Sequence, residues 1–450
     1  MMKLPVSPID EANATVSEVG RAFATTPPLF EVLRTVRSRR IGLGYHIDAG
    51  ITQAHPVTGR EVTVPDGPRP FVSTDSVVPL TETEEALIAW AACGPNGRAT
   101  WDRSYVPGVD EPVAQAGHTA PHAGSAPATN LVIINDRGAA VYRPVPDSAD
   151  PAEMAGPGRD RYEPILRWYR AGTTRFLDGR PDIDHALRFS GGPDHPALGT
   201  YQHNINRPGS TWYLPVTDCG RLAATLLTGL GTLRVFPVDE FNGGRPCGLN
   251  TLVSEGTLRH PAPISQLEQA IFQAEHYPVG CIVQNARLAA EALGLGHWCI
   301  CGYSQEALLG ALPDLTAGLG FHAEPANPRA PVAAGALKVF GIRGVIEATY
   351  VPSPRYPTAE SLVSAWWHAR FGRAGTGAHD DPSGQVWVRE ACIGYISYCV
   401  ETFGQWPVTY NPMQARFSVV VHHLDPGFYD MYYPPGYVTE RHREHMTEWH

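Results

Sequence analysis

Two periods of apolar and polar residues run through the chain, and together they mark its regular elements. The clearest helical period is "LTETEEALIAWAACG", where apolar positions recur at helical spacing, Thr81 and Glu84 form a capping box, and Gly94 is the stop. A second helix is expected over residues 281–293. Its stripe is Ile282, Ala286, Ala289, Ala290 and Leu293, with Gly294 as the C-cap. "SQLEQAIFQAEH" reads as a separate helix before it, opened by a capping box of Ser265 and Glu268. Further helices are expected from Pro28 into "EVLRTVRSRR", at "YEPILRWYRAG", at "CGRLAATLLTGL" behind Asp218, and after Ser304. "AESLVSAWWHARFG", "EACIGYISYCVETFG" and "TERHREHMTEWH" complete the set.

Short apolar runs bounded by turn residues predict strands at "IGLGYHI", "NLVIIN", "HWCICGY", "ALKVFGIRGVIEATYV" and "RFSVVVHHLD". "AAVYRP" is the expected hairpin partner of "NLVIIN", and "HPVTGREVTVP" reads as a small hairpin of its own. With 45 glycines and 42 prolines, long irregular connections must separate these elements. Residues 1–24 read as a loose arm, 25–355 as the main domain, and 356–450 as a mainly helical C-terminal extension.

Bulk chemistry narrows the function classes. The formal net charge of -10 disfavours nucleic acid and anionic membranes as partners, since neither gains from an acidic surface. No run approaches the ~20 apolar residues of a membrane span. Eight cysteines without paired spacing suit a reducing cytoplasm rather than a disulfide framework. The signatures G-x-S-x-G, H-E-x-x-H and G-x-x-x-x-G-K-[ST] do not occur, so hydrolase, zinc protease and P-loop readings lack support.

Three segments, in chain order, resemble the flavin-dependent nitroreductase superfamily, nearest to its azoline-oxidising branch. The first is "RTVRSRRIG", a basic cluster at a helix end. The resemblance implies that Arg37, Ser38, Arg39 and Arg40 grip the phosphate of FMN, and guanidinium donors suit a dianion. Taken alone, such a run also suits a solvated helix end. The second is "TAPHAGSAPATNLVIIN", similar to the family's "APSAGA" before a strand. It implies that Pro121, His122, Ala123, Gly124 and Ser125 approach the flavin ring. His122 stands where the family has serine, and Ser125 is the replacement for that polar contact. The third is "VQNARLAAEALGLGHWCICGY", like the family's core helix and ring-facing strand, which puts the backbone of Cys301 and Gly302 at the ring edge.

The resemblance covers roughly residues 25–355, with long insertions at about 45–75 and 145–260. It implies an α+β fold, a central mixed or antiparallel sheet flanked by helices, an FMN cofactor, hydride transfer on a small-molecule or peptide-derived substrate, and a homodimer. The family's late basic phosphate ligand has three candidates, Lys338, Arg343 and Arg355. No catalytic acid is assigned; Tyr201, His203 and Asn204 are polar enough to line a pocket.

A separate pattern is the histidine-rich end, "VVVHHLDPGFYDMYYPPGYVTERHREHMTEWH". His442 and His445 lie at i,i+3 on a predicted helix and could face one metal, with His422, His423 and Asp425 completing it. Histidines near a helix C-terminus also gain from its dipole. Two alternatives to the flavin enzyme therefore stand: a flavin-free binding protein on the same scaffold, and a metal-dependent enzyme using these histidines.

Overall fold

The computed structural model describes residues 20, 26–47, 51–54, 59, 61–64, 69–99, 115–122, 127–143, 163–181, 183, 205–313, 316–371 and 386–450. Its longer helices are α1 (Leu29–Thr35), α2 (Glu82–Cys93), α3 (Glu163–Gly172), α4 (Cys219–Thr232), α5 (Ile264–Leu293), α6 (Ala359–Phe371), α7 (Val386–Phe403), α8 (Pro426–Tyr432) and α9 (Glu440–Trp449). The main sheet is built from β1 (Thr129–Asn135), β2 (Gly138–Tyr142), β3 (Thr173–Asp178), β4 (Thr211–Asp218), β5 (Gly296–Ile300), β6 (Met413–Gln414) and β7 (Ser418–His422). Their order is β5-β7-β4-β1-β2-β3, with β6 also on β4, and every pairing is antiparallel. The fold is α+β, as expected.

Continuous apolar runs, rather than alternating ones, arise because this sheet is buried on both faces. Leu131, Ile133, Tyr213, Val419 and Val421 point to one side, against α2, α3 and α5. Val132, Ile134, Trp212, Leu214, Trp298 and Val420 point to the other. That face is covered by the short helix Gln305–Leu309 and the hairpin formed by Leu337–Ile342 and Ile346–Glu347. A third core gathers α4, α6, α7 and the start of α5 around Leu222, Leu362, Tyr395 and Phe403. Cys392 and Cys399 are buried there as plain packing groups.

Four expectations change. The segment after residue 355 is rich in helix, yet its strand β7 lies inside the sheet, so it is not a separable extension. α1 stops at Thr35, and of "IGLGYHI" only a Gly42–Leu424 bridge and the short strand His46–Ile47 are extended pairings. The two helices expected between 264 and 293 are one, running through Pro278. Interior proline costs a hydrogen bond, but the buried face continues across it through Ile271, Val279, Ile282 and Val283. The Ser265–Glu268 capping box does not form. Glu268 accepts from the backbone N–H groups of Val408 and Thr409, while Glu240 caps α5 by accepting from Ile264 and Ser265.

The other caps read from sequence are present: Thr81 with Glu84, Ser304 before its short helix, and the Asp218 carboxylate accepting from Arg221. Gly294 ends α5 with φ +84°, and a Cβ there would lie 2.4 Å from the carbonyl oxygen of Arg441. It therefore serves both the turn and the close approach of α9. Gly294→Ala is expected to lower unfolding stability by about 1–3 kcal/mol in a denaturant titration; an unchanged midpoint would contradict this packing.

Candidate functional site

The first and second segments of the sequence resemblance each touch the third. After α1 the chain crosses beside the edge strand β5, where the Arg39 N–H donates to the carbonyl of His297 at 2.8 Å. On α5, the Asn285 amide donates to the carbonyl of Thr119 at 3.0 Å, tying the helix to the segment before Pro121 and His122. Cys301 and Gly302, just beyond β5, are exposed, as is Pro121. Ala123, Gly124 and Ser125 lie outside the described residues, as do Tyr201, His203 and Asn204.

Arg39 is a correction to the expected phosphate cluster. Its side chain is fully buried, and Nη1 donates to Glu291 at 2.6 Å. Nε and Nη2 donate to the carbonyl of Tyr437, Nη2 also to that of Thr35, and Nη1 also to that of Arg37. With all five N–H groups engaged, no donor remains for a phosphate. Lys338 is turned inward: it is buried, donates to the carbonyls of Val408 and Tyr410, and burial pulls it down to about 8. Ser38 is exposed and Arg37 half-buried, with its guanidinium 5.3 Å from the Tyr437 ring centre. Arg40 lies 4.1 Å over the Trp298 ring of β5.

Buried polar atoms near these segments lack protein partners among the described residues. Among them are Arg287 Nε on α5, His297 Nδ1 and Trp298 Nε1 on β5, His122 Nε2 and His118 Nδ1. Arg287 acts electrostatically on Cys299, whose thiol burial pushes up to about 11 while the guanidinium pulls the other way. A cationic donor beside β5 with one N–H unused fits an anionic or carbonyl-bearing ligand. Arg37, Ser38 and Arg40 are the members of the expected phosphate cluster whose side chains are not fully buried.

Behind the sheet lie two buried carboxylate–imidazole clusters. Glu84 Oε2 accepts from the Thr81 backbone and hydroxyl, completing the cap of α2. Its Oε1 faces His445 Nε2 at 2.7 Å, His423 Nε2 at 3.0 Å and His450 Nε2 at 3.5 Å. Glu291, on α5, faces Arg39, His297 and His442, and these outweigh burial to hold its carboxyl below the usual range.

His442 and His445 therefore do not face one centre. α9 crosses both α5 and the start of α2, so His442 meets Glu291 while His445 meets Glu84. His422 and His423 also separate, because successive residues of an extended chain point to opposite sides. The His422 ring packs on Tyr45 at 5.6 Å, with neither nitrogen hydrogen-bonded. Asp425 caps α8 and accepts from Ser73. Sequence reading gave Glu84 its cap alone and omitted Glu291, His297 and His450. Carboxylates within the apolar stretches of α2 and α5 were the available signal.

No family model and no curated protein matches the chain. Among solved structures it is similar to a "putative nitroreductase" from Ralstonia eutropha. Identity is 13%, the match covers 68% of this chain and 80% of that one, and the TM-score is 0.27. A similarity of that depth decides nothing about chemistry.

His122 gives a test of the geometry around the small-residue loop. Burial, with lesser repulsion from His118 and Arg221, pulls its imidazole down to about 4. A histidine depressed below its unfolded value of ~6.5 contributes stability that is full above that pH. The contribution is lost as pH falls from about 6.5 towards 4. The ring should titrate by NMR with a midpoint near 4; one near 6.5 would place it in solvent.

Proposed function

We propose that the chain is an FMN-dependent oxidoreductase of the nitroreductase kind, acting on a small-molecule or peptide-derived substrate. The observation that supports this reading is that the basic segment and the 119–122 segment each contact the helix–strand 281–302, through the Arg39–His297 and Asn285–Thr119 bonds. A bound flavin would supply the hydride chemistry. The chain's own part is to hold it. In this reading Arg37, Ser38 and Arg40 grip the phosphate, while Arg287, Pro121, His122 and the backbone of Cys301 and Gly302 contact the ring. Gly302 has no side chain to block that approach.

The grip and its buried neighbour separate by mutation. Arg40→Ala is expected to raise the FMN dissociation constant about 10- to 100-fold in a flavin-fluorescence titration, the loss of a charge-assisted bond. Arg39→Ala instead removes the guanidinium from the buried Glu291, and should lower folding stability by about 3–5 kcal/mol. An Arg40→Ala protein that binds FMN as wild type does would remove the proposed grip.

The same reading includes a homodimer and a cytoplasmic location. α1 leaves Leu29, Phe30 and Leu33 exposed, with Phe30 at 83%, a cost that a second copy would relieve. Sedimentation velocity should give twice the chain mass, and a monomer at micromolar concentration would remove this part. All eight cysteines are unpaired, which suits a reducing compartment. No described helix is long and apolar enough to cross a membrane.

A further inference from the structure

The cluster on Glu84 has no place in the flavin site, and its hydrogen-bond accounting does not close with protons alone. His423 Nδ1 lies 2.8 Å from the carbonyl oxygen of Val78, and His445 Nδ1 lies 2.6 Å from that of Leu293. A carbonyl only accepts, so both Nδ1 atoms carry their hydrogen. In the neutral tautomer that this selects, both Nε2 atoms hold a lone pair, and both aim it at Glu84 Oε1, another acceptor. His450 Nε2 adds a contact of 3.1 Å to His423 Nε2, nitrogen facing nitrogen.

Protonation is a poor remedy. It would require two imidazolium rings whose centres are 5.2 Å apart, both buried. Even then a single His423 Nε2–H would have to serve Glu84 and His450 together. The cluster on Glu291 differs, because Arg39 sits in it as a resident cation. Among the described residues, every ion pair of Glu84 is with a histidine.

One cation placed among the four ligand atoms satisfies all of them. We propose that Glu84, His423, His445 and His450 bind a divalent transition-metal ion of the zinc type. The four atoms lie within 4.8 Å of one another, and four of their six separations, 2.7 to 3.5 Å, bracket the edge of about 3.3 Å expected for a tetrahedron with ~2.0–2.1 Å bonds to zinc. Three imidazole nitrogens and one carboxylate oxygen select zinc or cobalt over magnesium and calcium, which prefer oxygen ligands, and the absence of thiolate disfavours copper(I). The Nδ1–H bonds to Val78 and Leu293 are the outer contacts that orient metal-binding histidines.

Four protein ligands close the shell, so the ion is structural. It ties the first turn of α2 to the end of β7 and to α9, elements 339 and 361 residues apart along the chain. The unused Glu84 oxygen keeps its capping bonds to Thr81 while the other binds metal.

The test uses the full untagged chain, stripped with chelator and titrated with Co²⁺ and then Zn²⁺. One equivalent of Co²⁺ should give the intense visible bands of tetrahedral cobalt, Zn²⁺ should bleach them, and Zn²⁺ should raise the melting temperature. His445→Asn should abolish the bands. His450→Ala, at a partly exposed position where folding is not at risk, should weaken Co²⁺ binding by about tenfold or more. Stripped protein that gives no cobalt bands, or a folded His450→Ala protein that binds Co²⁺ as wild type does, would overturn the site. Neither readout involves flavin, so its outcome is independent of the oxidoreductase reading.

Discussion

The insertion of β7 between β5 and β4 is the constraint on which the rest of the architecture depends. Val419, Val420 and Val421 are fully buried, each contributing roughly 1.5–3 kcal/mol through apolar burial. Their alternation joins the two cores, since Val420 faces one and its neighbours the other. Without this strand, β5 would lose its only sheet neighbour among the described residues, and with it the platform beside which Arg39 and Arg40 run. The same strand delivers His423 to Glu84. The exposed edge beside β5 and the buried histidine cluster are thus two consequences of one long-range pairing.

Buried charge is organised around that pairing. Glu84 and Glu291 sit on helices that pack on the same sheet face, and each meets residues remote in sequence. Glu291 takes Arg39, which explains why a basic segment that reads as one cluster divides into a structural arginine and two that lie against Tyr437 and Trp298. Glu84 takes only imidazoles. Buried ion pairs of this type add little net stability over apolar packing, yet removing one partner is severe. They therefore fix which elements must meet rather than how tightly the whole chain folds.

Much of the local structure was legible because its causes are local. The capping box of Thr81 and Glu84, the Gly294 stop, the Asp218 cap and the hairpin of β1 with β2 each follow from residues a few positions apart. What failed had distant causes. The box at Ser265 gave way because Glu240 reaches the start of α5 from another element, while Glu268 is drawn to Val408 and Thr409. His442 and His445 share a helix face, but that face spans two carboxylates on different helices, and no spacing rule contains that crossing. Within the site, the order of the three segments could be read from the chain. The commitment of Arg39 to Glu291, and the orphaned Nε of Arg287, depend on tertiary contacts and could not.

The most direct measurement of the central claim is the visible absorption spectrum of the untagged protein after resupply with FMN and removal of free cofactor. The account predicts a bound flavin band at one equivalent per chain. A protein that stays colourless after resupply would contradict it, leaving the edge beside β5 as structure alone.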